Sequence, residues 1–115
     1  MKTILFSTLL LLALSGADKL VGRWESISPT GNVTGVVFKD DNTFEGYINE
    51  KPFVSGTYSF RDSTFQMEDN GCLGKTGTYT LHFFSKGDSF RIQLVNDDCE
   101  GRAKGTNNRV FGRVK

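Results

Sequence analysis

Apolar and polar side chains alternate in short runs along most of this chain. Phe44 and Ile48 alternate with Glu45 and Tyr47, and Phe65 and Met67 with Gln66 and Glu68. Tyr79, Leu81 and Phe83 alternate with Thr78, Thr80 and His82, and Phe90, Ile92 and Leu94 with Arg91 and Gln93. A period of two places one set on a dry face and the other on a wet face, as in a half-buried antiparallel sheet. The pattern predicts strands over 20–27, 33–38, 43–48, 54–60, 64–68, 77–84, 90–95 and 108–114. Turns are expected at Asp40-Asp41-Asn42, at 49–52, at Arg61-Asp62-Ser63 and at Lys86-Gly87-Asp88, where turn-forming residues cluster. The stretch 33–38 is apolar on both faces and is not oriented by its pattern. No segment sustains a helical period, and 100–107 reads as a polar, glycine-bearing surface loop carrying Arg102 and Lys104. Strands at this spacing predict an all-β fold, an antiparallel up-and-down barrel of about eight short strands. Gly46 and Gly56, inside strands, mark expected bulges or barrel corners.

The beginning of the chain follows a different pattern. Lys2 precedes an apolar run from Ile4 to Leu14, and the small residues Ser15, Gly16 and Ala17 follow. A basic start, an apolar core and a small-residue site are the pattern of a secretory signal peptide. The apolar run is about half the ~20 residues of a spanning helix. Residues 1–17 are therefore expected to be a cleaved signal, and 18–115 one exported domain, secreted or periplasmic, with no transmembrane span after processing. Without Lys2, basic and acidic side chains are equal in number. A neutral domain argues against nucleic acid or an anionic membrane as partner, since both are held largely by basic charge. The domain is expected to be a monomer.

The two cysteines, Cys72 and Cys99, fall in an oxidising compartment if the chain is exported, and an even pair there reads as a disulfide. A metal site would need further ligands, and the chain has one histidine, His82, and no third cysteine. Ser55-Gly56-Thr57-Tyr58-Ser59 is echoed by Thr76-Gly77-Thr78-Tyr79-Thr80, each opening a hairpin whose second strand leads to a cysteine. Those second strands run the same way in a meander and end at one rim. The disulfide is expected to staple that barrel mouth.

The residues also resemble a family. Leu20-x-Gly22-x-Trp24 resembles the opening signature of lipocalins and other calycin-type barrels. The order Gly56-Thr57-Tyr58, Cys72, Gly77-Thr78-Tyr79 and Asp98-Cys99-x-Gly101-Arg102 is similar to small exported lipocalin-like domains. The resemblance implies a lipocalin-like barrel with Trp24 at its closed end and an arginine of the last strand, Arg113 or Arg109, packed on it. The chain is much shorter than typical lipocalins, and a shared fold does not carry a shared activity.

For function, a barrel of this size either fills with side chains or holds one small ligand. Trp24, Phe44, Tyr58, Phe60, Tyr79, Phe83 and Phe90 are the candidate ligand-contacting side chains, with the hydroxyls of Tyr47, Tyr58 and Tyr79 expected near a pocket rim. The leading expectation is a non-catalytic binding module for a small hydrophobic molecule in the barrel mouth. The alternative is a protein-interaction or inhibitor domain with a filled core. No catalytic residues are expected, since His82 falls on the wet face with no orienting acid and nucleophile. No cofactor or metal is expected either. Asp69, Asn70, Asp97, Asp98 and Glu100 gather oxygens but match no calcium loop. Asn32-Val33-Thr34 is a glycosylation sequon.

Overall fold

The structure, a computed structural model, describes residues 17–115. Most of the expected signal segment, 1–16, lies outside the described residues. A short helix α1 (Ala17–Leu20) leads into eight strands: β1 (Gly22–Ile27), β2 (Val33–Phe38), β3 (Thr43–Ile48), β4 (Lys51–Arg61), β5 (Thr64–Asp69), β6 (Gly77–Phe84), β7 (Ser89–Asn96) and β8 (Val110–Arg113). A helix α2 (Glu100–Thr106) separates the last two strands. Each strand pairs antiparallel with the next, and β8 returns to β1 through Trp24 opposite Arg113, closing an up-and-down barrel.

The turns follow from local chemistry. Asn49 and Glu50 (φ 50° and 70°) and Asp62 and Ser63 (φ 51° and 71°) form two-residue hairpin turns. Two successive positive φ values match the twist of the flanking strands. The turn expected over 49–52 is therefore shorter, and β4 already starts at Lys51. Pro52 fits inside a strand because the register shifts beside it, between Gly46 and Tyr47, where a missing N–H is tolerated. At Gly56 the β4 and β5 backbones approach so closely that an added Cβ would overlap Glu68 O, so only glycine fits there.

Of the alternating apolar positions, Phe44, Phe65, Tyr79, Leu81, Phe90 and Ile92 are buried, as are Tyr58 and Phe60 on β4, while Ile48, Met67 and Phe83 are half-buried. The unoriented strand β2 turns Val36 and Phe38 inward. Gly35 lies on its outer face under the Arg23 guanidinium. Leu94, expected inside, is 38% exposed although it pairs with the buried Tyr79, and a register shift follows it along β7.

The segment 100–107 is not a surface loop, as its composition suggested. It is largely a helix, with Glu100 in the first turn, Lys104 in the last and Ala103 buried beneath. These charges suit the two ends of a helix dipole. The chain enters it at Cys99, whose N–H donates to Asp97 Oδ1 (2.9 Å), and leaves it at Asn107, whose N–H donates to Ala103 O (3.1 Å).

Candidate functional site

The two ends of the barrel are built differently. At one end α1 lies across the opening, with Leu20 and Trp24 fully buried. The Trp24 indole N–H donates to Leu20 O (2.9 Å). The Arg113 guanidinium stacks 4.3 Å from the Trp24 ring centre and donates to the carbonyls of Val21 (3.1 Å) and Lys19 (2.7 Å). Of the two arginines named from the resemblance, Arg113 occupies this position. Phe90 meets Trp24 edge-on at 4.8 Å, and Phe83 bridges to Phe60 at 5.8 Å. This end is sealed by rings.

The other end opens onto a cavity of about 500 Å³. Its floor is Phe38, Phe44, Phe65, Leu81, Phe90 and Phe111. Smaller inward residues of β2, β3 and β4 make one wall: Thr34, Val36, Gly46, Ile48 and Val54. The opposite wall is the disulfide and α2, which contributes Gly101, Arg102, Gly105 and Thr106, followed by Arg109. The volume falls within the range of small-molecule pockets, roughly 300–1,000 Å³.

Only Phe44 and Phe90 of the candidate ligand-contacting residues line this cavity. Trp24, Phe60 and Phe83 form the sealed end. Tyr58 packs on Phe38 at 4.8 Å and donates its hydroxyl to Lys39 O (2.9 Å). Tyr79 is fully buried and donates to Asp97. Tyr47 borders the cavity, yet its hydroxyl donates to Glu45 (2.6 Å). The three tyrosine hydroxyls thus have protein partners. What the sequence reading missed was the run of small inward residues on adjacent strands, which leaves the space, together with the helix that walls it.

The mouth is fixed by one covalent and one ionic tie. Cys72, in the β5–β6 connection, is bonded to Cys99 at the start of α2, with Cα atoms 6.0 Å apart. Arg102 sends its Nε to Asp97 Oδ2 (2.7 Å) and its Nη2 to Asp97 Oδ1 (2.8 Å) and Lys75 O (2.8 Å). Its Nη1 lies 3.4 Å from Asp69 Oδ2. The Asp97 side chain is wholly buried, and that of Arg102 is 7% exposed. Burial by itself would raise the Asp97 pKa. Hydrogen bonds from Arg102, Tyr79 and the Cys99 N–H outweigh it and hold the carboxyl below its ordinary value of 3.8. Burial, reinforced by the bond to Asp97, pushes the Tyr79 hydroxyl well above its ordinary 10.0. Gly77 makes room for this cluster, since an added Cβ would overlap Asp97 Oδ2. Two of the five oxygen-bearing residues considered for calcium are therefore committed to an arginine. Among the described residues, no three His, Cys, Asp or Glu side chains are placed to hold a metal.

The remaining candidates are scattered. His82 is exposed on the outer face of β6 opposite Arg91. Lys104 is exposed on α2. Asn32 lies in the exposed β1–β2 turn, where its Oδ1 accepts from Asn49 Nδ2 (3.0 Å). Apolar side chains crowd the rim at the open end: Ile27, Phe53, Leu73 and Val95 are 61–80% exposed. No helix among the described residues is long and apolar enough to cross a membrane. In comparisons with known proteins, no family model matches the chain and no curated protein is similar to it.

Proposed function

We propose that this protein is a non-catalytic, exported, lipocalin-like binding module that carries a small hydrophobic molecule in its open end. The observation that carries this reading is the cavity of about 500 Å³ with an aromatic floor, reached from one end of a barrel whose other end is sealed. An apolar concavity with a few polar groups at its edge is the usual form of a small-molecule site. The Cys72–Cys99 disulfide suits an oxidising compartment, which supports export. The G-x-W start, with Trp24 under Arg113, supports the lipocalin-like assignment. The exposed apolar rim favours a second reading, a protein-docking role for the same mouth, with the cavity receiving a partner's side chain.

Native mass spectrometry of the protein, purified without detergent from its exported fraction, tests the proposal. A reproducible added mass of a few hundred daltons, extractable into organic solvent, is the expected outcome. A bare protein mass, together with no uptake of the neutral apolar dye N-phenyl-1-naphthylamine, would overturn it in favour of the docking role.

A further inference from the structure

Exposed apolar surface is unevenly divided between the two ends of the barrel. At the open end, Ile27 closes β1, Phe53 lies near the start of β4, Leu73 follows Cys72 in the β5–β6 connection and Val95 lies near the end of β7. All four are mostly exposed, and each comes from a different element, so they stand around the mouth rather than on one side of it. None of them belongs to the buried core, so packing within the single chain does not account for them. The sealed end exposes less: Phe84 is 46% and Val114 39% exposed. Both ends of the described chain lie at that sealed end, where Ala17 opens α1 and the Val114 N–H donates to Arg23 O (2.9 Å), so neither covers the mouth.

The size of the rim fits one kind of cover. Its four residues expose roughly 500 Å² of largely apolar surface, near the top of the range for the largest patch on a single chain. A stable interface takes about 800 Å² from each partner, and in homodimers about 65% of it is apolar. The rim thus supplies about the apolar share that a homodimer needs. Its charges fit the same cover. The exposed acids Glu50, Asp98 and Glu100 are matched by the exposed bases Lys51, Lys75 and Lys104. A rim of balanced sign attracts neither an anionic membrane nor a strongly charged protein, whereas a second copy turned end over can set acids against bases.

We infer that two copies of this chain pair mouth to mouth about a twofold axis, through Ile27, Phe53, Leu73 and Val95. In that arrangement each cavity of about 500 Å³ opens onto its twin. The two become one chamber, capped at both ends by the rings around Trp24. The monomer expected from the sequence is then the form at low concentration. The pairing stands on the rim alone, and the shared chamber rests on the reading of the cavity as a ligand site.

The test is sedimentation equilibrium of the oxidised protein without detergent. The void at the centre of the contact puts the affinity at the weak end of the range for such areas, with a dissociation constant of about 10 µM. The mass should be close to that of one chain at about 1 µM and approach twice that at about 200 µM. Ile27→Glu combined with Leu73→Glu, neither of which lines the cavity, is expected to keep the protein single at both concentrations. Phe84→Glu, the same change at the sealed end, is expected to leave the pairing as it was. Trp24 emission confirms that each variant is folded. At the higher concentration, N-phenyl-1-naphthylamine should leave the unaltered protein severalfold more slowly than the double variant, whose mouth is uncovered. A single-chain mass at about 200 µM would overturn the inference, and binding of that single chain to phosphatidylcholine vesicles would assign the rim to a lipid surface instead. A dimer that survives Ile27→Glu with Leu73→Glu would place the contact elsewhere and overturn it as well. A dye that never binds removes the chamber and the ligand reading, while the measured mass still decides the pairing.

Discussion

The α1 end and the α2 end of this barrel solve the same problem, how to finish a closed sheet, with different chemistry. At the α1 end, one turn of helix and a set of rings fill the interior, and the Arg113 cation sits on the outermost indole. At the α2 end, a helix of seven residues stands to one side, tied by a disulfide and by the buried Arg102–Asp97 pair, and the interior stays open. Rings close space by filling it. A covalent bond and an ion pair hold a wall without filling what lies behind it. The difference puts the packed rings at one end and leaves the cavity at the other.

The largest effect that would break this comparison is at the sealed end. Trp24→Ala removes a fully buried side chain that touches Arg113, Phe83 and Phe90. A loss of about 3–5 kcal/mol is expected, read from urea unfolding followed by circular dichroism. A loss below about 1 kcal/mol would mean that the rings do not hold that end. Next comes the tie at the mouth. Replacing both cysteines, as Cys72→Ser with Cys99→Ser, opens a loop with a sequence separation of 27. A cost of about 3.6 kcal/mol is expected from chain entropy. The unaltered protein should show no free thiol after unfolding, and finding two would contradict the tie. The smallest effect is pH-dependent. Asp97 is held below 3.8 in the folded state, so the stability it adds is complete above that value and is lost as pH falls through the lower, folded one. Unfolding midpoints between pH 6 and pH 2 should therefore fall at the acid end, and Asp97→Asn should flatten that decline. An unchanged acid limb in the variant would show that the pair does not govern it.

The strands were legible because each inward position pays no ambiguity: a period of two, with Phe, Tyr, Leu or Ile on one side, allows one orientation only. The hairpin turns were legible from Asn, Asp and Ser, which tolerate positive φ. β2 was not, since Val33, Val36, Val37 and Phe38 leave both faces apolar, and Arg23 over Gly35 decides which one faces out. The helix α2 was missed for a physical reason. Gly101 and Gly105 weaken its intrinsic propensity, and the ties that hold it, to Asp97, Lys75 and Cys72, come from elsewhere in the chain. The candidate site was only partly legible. Large aromatics announce a core, but a cavity is announced by small inward residues on neighbouring strands, such as Val36, Gly46 and Val54, and these carry little signal one at a time.

The pairing of Trp24 with Arg113 joins the first strand to the last. Every other strand pairing joins neighbours in sequence. This one must wait for the C-terminal residues. Until they arrive, β1 and β7 remain free edges able to pair with other chains. Contacts of such sequence separation are slow to form. The short last strand thus covers both edges at once, and the barrel has no open edge only while β8 is in place.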